Sequence, residues 1–141
     1  AAAFVPVLTA RCISRPDAKS MAKKLERWNK IARAAADQSG RGIIPVVDDV
    51  MDFKAAAQRM AADKRPILFY ENATIPLGQA LQNIAGSVSL MTGPEGGFEP
   101  AEVEYAKQQG VHICSLGPRI LRCETAPLAA LAVVTAVMEI L

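Results

Sequence analysis

The chain has 141 residues, 51% hydrophobic and 21% charged, with a net charge of +2. That length excludes two full-sized domains, that composition excludes a disordered chain, and so small a net charge points to no partner by itself. Aromatic residues make up only 5%, so small aliphatic side chains must fill the core.

The distribution of charge says more than its total. Residues 1–41 hold nine basic residues (Arg11, Arg15, Lys19, Lys23, Lys24, Arg27, Lys30, Arg33, Arg41) against Asp17, Glu26 and Asp37, a local charge of +6, while the remainder carries −4. Such a block is either a phosphate-binding surface or a solvated helix face, and charge alone does not choose. Cys12, Cys114 and Cys123 form no CxxC pair, and an odd count argues against a disulfide framework, so a reducing cytoplasm is the expected compartment. No charged leader precedes an apolar run, so no secretory signal is read. The apolar stretch 126–141 falls short of the roughly 20 residues of a membrane span. It also contains Pro127 and Glu139, and is read as a buried helix.

In chain order, residues 4–8 read as a strand. Residues 17–37 read as a long helix with Met21, Leu25, Trp28, Ile31, Ala32 and Ala35 on one face and most basic residues on the others. Gly40 stands at its stop position. Residues 42–47 read as a second strand, irregular at Pro45, and 49–63 as a helix. Residues 66–70 (PILFY) form a third strand, 76–84 a short helix and 87–91 (SVSLM) a fourth strand. Pro100 and Gly110 then bracket a helix with the expected asymmetry. Residues 111–116 make a fifth strand, and the last helix begins near Thr125, a candidate N-cap with Pro127 in its first turn. Strands alternating with helices mean an α/β fold with a parallel sheet, whose ligand sits beyond the carboxyl ends of the strands. Three loops lie there: 71–74, 92–98 and 116–125.

Common chemistries can be struck out. The single histidine, His112, sits inside an apolar strand, so a histidine triad or metal site is not expected. There is no GxxxxGK[ST], no GxGxxG after a strand and no carboxylate cluster. What remains is Thr92-Gly93-Pro94-Glu95-Gly96-Gly97-Phe98, a glycine-rich turn through which backbone can approach a ligand. Taken alone it is equally an ordinary βα turn. The second element, Ser115-Leu116-Gly117-Pro118-Arg119-Ile120-Leu121-Arg122-Cys123-Glu124-Thr125-Ala126, sets two arginines and a glutamate among buried-looking Ile120 and Leu121. Residues that break the local rule are where function is expected.

GPEGGF followed some twenty residues later by SLGPRILRCETAPL, together with KLERW and QSGR earlier in the chain, closely resembles the motif set of the RsmE-type 16S rRNA uracil-N3 methyltransferases, within the SPOUT (α/β-knot) superfamily. The likeness runs from about residue 5 to the end, with the motifs in order. The resemblance implies a parallel sheet flanked by helices, ending in a deep C-terminal trefoil knot across residues 1–141. It implies S-adenosylmethionine held by the knot loops. By position these contribute Tyr70, Glu71, Thr92, Gly93, Glu95, Gly96, Gly97, Ser115, Leu116, Gly117, Ile120, Leu121, Arg122, Thr125 and Ala126, with no metal. It further implies a homodimer joined partly through the last helix, and 16S rRNA of the small ribosomal subunit as partner.

On that resemblance Arg119 or Arg122 stabilises charge developing on the uracil oxygens. Glu124 accepts a proton or orients an arginine, unless it is simply a helix-start carboxylate. Lys23, Lys24, Arg27 and Arg41 would hold RNA phosphates. Cys123 stands where the family more often has threonine. The family's chains begin with a PUA-like barrel, whereas this chain starts beyond it. Two other readings stay open: a SPOUT enzyme acting on transfer RNA or another ribosomal nucleoside, and a non-catalytic RNA-binding or dimerisation module.

Overall fold

The computed structural model describes residues 1–138, which form two compact units. The first comprises residues 1–8 and 13–52 and the second 9–12 and 53–138. Every strand pairing in either unit is parallel, as the alternating pattern requires.

In the first unit, β1 (Ala3–Phe4) pairs with β3 (Val46–Val47), and β2 (Val7–Leu8) with β4 (Met51–Asp52). The single strand expected over 4–8 is therefore split at Pro6, which has no N–H to give a ladder. Its carbonyl accepts from Met51 N at 2.9 Å, so the chain changes partner there. The strand expected over 42–47 likewise shrinks to the two residues after Pro45. Helix α1 (Ala18–Gln38) is capped by Asp17, whose carboxylate accepts from Ser20 N at 2.8 Å. It closes at Ser39, followed by Gly40 at φ +68°. Its inward stripe is Met21, Leu25, Trp28, Ala32 and Ala36. Ile31 and Ala35, expected on that stripe, are exposed. Asn29 ties the helix to β3 as a neighbouring strand would: its amide donates to Val47 O and accepts from Val47 N, both at 3.1 Å.

In the second unit, α2 (Phe53–Met60) is shorter than the helix expected over 49–63, because Met51 and Asp52 are taken up in β4. The order of the three-stranded sheet is β6 (Val88–Met91), β5 (Arg65–Phe69), β7 (His112–Cys114). After Arg65, central β5 reads as an unbroken apolar run, as a strand covered on both faces does, and Ile67 and Leu68 are fully buried. Helices α3 (Leu77–Ala80), α4 (Pro100–Gln108) and α5 (Ala126–Val137) complete the unit. Ile67, Phe69, Leu77, Leu81, Cys114, Ala130 and Val134 form a core cluster. Phe53 packs on Phe98 with ring centroids 5.7 Å apart.

Two expectations of burial fail. Helix α5 buries only Ala130 and Val134 and leaves Leu128, 71% exposed, with Val133 and Val137 on its open side. One stripe of this largely apolar helix suffices to cover the core cluster, so the other stripe is exposed. The stretch 139–141 of the expected helix lies outside the described residues. Ile120 is 85% exposed, because its segment lines a cleft and is not packed into the core. His112, expected inside a strand, stands on β7 with its side chain exposed. Among the described residues no helix is long and apolar enough to cross a membrane.

Candidate functional site

The three turns at the carboxyl ends of β5, β6 and β7 converge in the second unit on one cleft of about 1010 Å³. Backbone hydrogen bonds place the first and third together. Tyr70 N donates to Cys114 O at 3.0 Å, Ser115 N to Ile75 O at 2.8 Å, and Leu77 N to Ser115 O at 3.1 Å. The turn after β7 is shaped by Ser115, whose hydroxyl bonds Gly117 N at 3.1 Å and Gly117 O at 3.0 Å, with Gly117 at φ +116°.

The glycine turn after β6 is packed backbone on side chain. Gly97 N donates to Pro94 O at 2.9 Å, closing a tight turn, and Gly97 sits at φ +67°. The Glu71 carboxylate lies against Gly97, where a Cβ would come within 3.2 Å of Oε1. At Gly93 a Cβ would come within 3.2 Å of the buried Phe98 ring. A side chain at either position would crowd its neighbour, and at Gly97 it would also have to adopt a positive φ, so glycine backbone lines the cleft there.

Of the residues singled out from sequence, Tyr70, Glu71, Thr92, Gly93, Glu95, Gly96, Gly97, Ser115, Leu116, Gly117, Ile120, Leu121, Arg122 and Ala126 all line this cleft, as do Arg119 and Glu124. Thr125 is not among the lining residues. It has helical dihedrals just before α5, and its hydroxyl makes no capping bond. The turn into α5 is closed instead by Arg122 O, which accepts from Thr125 N and Ala126 N, both at 2.9 Å. Pro94, Pro118, Phe69, Thr74 and Cys123 also contribute to the walls. Sequence reading passes over them because nothing in an apolar or small residue type marks it as pocket and not core. The basic residues Lys23, Lys24, Arg27 and Arg41 belong to the first unit. Lys23, Arg27 and Arg41 are exposed, whereas Lys24 is half-buried and donates to Ser14 Oγ at 3.4 Å.

The electrostatics of the cleft are mixed. Arg119 and Arg122 are exposed, and guanidinium stays charged at any relevant pH. The Cys123 thiol donates to Glu124 Oε2 at 3.2 Å. That bond, then burial, then the Glu95 carboxylate hold the Cys123 thiol above its usual range, so it remains protonated and is a poor nucleophile. Glu124 is held below the usual carboxylate range by its own backbone N–H and then by the Cys123 thiol. Among the described residues no group of three or more histidine, cysteine or acidic residues is placed to hold a metal.

Comparison with known proteins identifies the family. The chain is 41% identical over 146 residues to ribosomal RNA small subunit methyltransferase E of Bacillus subtilis, covering 99% of this chain and 57% of that protein. It is 37% identical over 136 residues to the protein of that name from Mycobacterium tuberculosis, covering 94% and 52%. The crystal structure of ribosomal RNA small subunit methyltransferase E from Neisseria gonorrhoeae bound to S-adenosyl methionine superposes with a TM-score of 0.86 at 36% identity, over 95% of this chain and 54% of that one. The chain thus spans little more than half the length of these relatives. The family described as RNA methyltransferase domain matches residues 1–135. With a parallel sheet, a glycine-floored cleft at its carboxyl edge and a match across nearly its whole length, the chain belongs to the RNA methyltransferase domain family.

Proposed function

We propose that this chain is the methyl-transferring part of an S-adenosylmethionine-dependent enzyme that methylates N3 of a uridine in 16S rRNA of the small ribosomal subunit. The observation that carries the reading is the convergence of all three sheet-edge turns on one cleft, floored by glycine backbone and walled by apolar residues and carboxylates. The residues present fit the cofactor. Peptide groups of 93–97 and 116–117 suit the adenosyl part, Leu116, Pro118, Leu121 and Ala126 supply apolar walls, and Glu71, Glu95 and Glu124 complement a positively charged ligand. When bound, S-adenosylmethionine supplies an electrophilic methyl group on a sulfonium.

The chain's own residues do the rest. Loss of the uridine N3 proton to solvent water leaves negative charge spread over N3 and the two carbonyl oxygens. Arg119 or Arg122 stabilises that charge through its fork of donors, with Glu124 balancing and aiming the guanidinium. The uridine must be unpaired to present this edge. Lys23, Lys24, Arg27 and Arg41 bind RNA phosphates. A second copy of the chain covers the open apolar side of α5, where Leu128, Val133 and Val137 are exposed. The deep trefoil knot implied by the motifs belongs to the same proposal. Its support is the motif resemblance, alongside a parallel bridge between Pro76 and Ser115 that joins two of the loops lining the cleft.

Calorimetric titration with S-adenosylhomocysteine, with light scattering for mass, tests this reading. Saturable binding by a dimer is expected. A well-folded chain that shows no binding overturns the assignment of the cleft.

A further inference from the structure

Residues 9–12 are separated in sequence from the rest of the second unit by forty residues of the first, yet they are built into it. Their hydrogen bonds fall on one place. Ala10 N donates to Glu102 Oε1 at 2.8 Å, while Glu102 Oε2 accepts from Glu99 N at 3.0 Å at the start of α4. Arg11 Nη1 donates to Gly96 O at 3.0 Å, and Arg11 Nε lies 3.9 Å from Glu99 Oε1. The Arg11 stem packs so closely on Gly96 that a Cβ there would come within 3.1 Å of the arginine Cβ.

The peptide between Gly96 and Gly97 is thereby fixed at both ends. Its carbonyl is held by Arg11, and its N–H is held by Pro94 O at 2.9 Å. Gly97 at φ +67° follows directly. A glycine pair is the most flexible link a turn can have. Without an outside partner this peptide would sample flipped orientations, and every ligand that met it would have to order it first. A turn ordered in advance avoids that entropy loss on binding.

We propose that Arg11 is a positioning residue for the cofactor turn, clamping the Gly96–Gly97 peptide in its binding orientation. The inference rests on the reading of the cleft as an S-adenosylmethionine site. It assigns Arg11 to the cleft and removes it from the phosphate-binding block suggested by its charge. Arg11 does not line the cleft itself, so its effect travels through the turn.

Titration of the full chain with S-adenosylhomocysteine tests this through Arg11→Gln, Arg11→Lys, Gly96→Ala and the double variant Arg11→Gln/Gly96→Ala. The expected loss for Arg11→Gln is about tenfold in Kd, the scale of one charge-assisted hydrogen bond in a partly exposed setting. Arg11→Lys, which can still donate to the Gly96 carbonyl, should recover most of it. Gly96→Ala, which displaces the arginine stem, should weaken binding similarly, and the double variant should be no worse than either single one. Wild-type binding with Arg11→Gln unchanged within twofold overturns the clamp and leaves the cofactor reading intact. Full additivity of the two substitutions also overturns it, because independent sites add. Absence of binding by the folded wild type instead overturns the cofactor reading beneath it. If Arg11→Gln does not fold, Gly96→Ala and Arg11→Lys still decide.

Discussion

The two units use the same kinds of element for different ends. The first holds its strands in pairs of two residues each, and devotes its longest element, the 21-residue α1, to a surface that is mostly exposed and basic. The second builds a continuous core around Ile67, Leu68 and Cys114, and turns its sheet edge into a cleft. Attraction of cations for phosphates falls off slowly and tolerates movement of the side chains. A glycine turn packed against a carboxylate tolerates less. The first unit should therefore respond to salt and to total charge, and the second to single atoms.

The largest effect should come from the cleft's charged groups. Arg119→Ala and Arg122→Ala, made separately, are expected to include one variant whose single-turnover methylation falls by about a hundredfold or more, as removal of one charge-stabilising donor does elsewhere. Both variants methylating at near-normal rates with cofactor bound would sink the arginine mechanism. Next in size is Gly97→Ala. The left-handed conformation costs an alanine about 1–2 kcal/mol, and its methyl would meet Glu71 Oε1 at 3.2 Å. Affinity for S-adenosylhomocysteine should drop by roughly tenfold or more. Adding Glu71→Ala should recover only part of it, since the backbone strain remains. Full recovery would place the whole effect in the carboxylate contact.

How much of this was legible in the sequence follows the same divide. The glycine and proline punctuation after apolar runs marks the three turns, because parallel strands bring every carboxyl end to one edge. Boundaries were misplaced where prolines act, at Pro6 and Pro45, and where Met51 and Asp52 pair with Val7 and Leu8 across more than forty residues. Ile120 and the open side of α5 looked buried because apolar character does not distinguish a core from a cleft wall or an uncovered face. In the sequence Arg11 is legible only as charge. Its hydrogen bond reaches 85 residues along the chain, and no local pattern encodes such a partner.

A smaller effect should come from α1. Replacing Lys23, Lys24 and Arg27 by glutamate should flatten the dependence of RNA binding on salt. The slope of log K against log salt is expected to shrink by about 0.7 for each phosphate of single-stranded RNA that the helix no longer neutralises. Cofactor titration should be untouched. An unchanged salt slope would return this helix to the role of a solvated face. A changed cofactor affinity would break the division of labour between the units.

The smallest expected effect concerns the start of that helix. The Asp17 carboxylate accepts from Ser20 N at 2.8 Å, and that bond, with the serine side chain, holds it below its ordinary range. A carboxyl whose native pKa is depressed contributes stability at pH above the unfolded-state value, roughly 3.9, and loses it as pH falls through the native value. An asparagine side chain in its place would cap the same N–H without titrating. Wild type and Asp17→Asn should therefore match in helix content near neutrality and part in acid, the wild type fraying first, as followed by circular dichroism of the folded chain. Coincident acid curves would mean that the cap is not what holds the first turn of α1. Parallel losses of S-adenosylhomocysteine affinity would mean that the basic helix and the cleft are coupled, and the contrast between the two units would have to be redrawn.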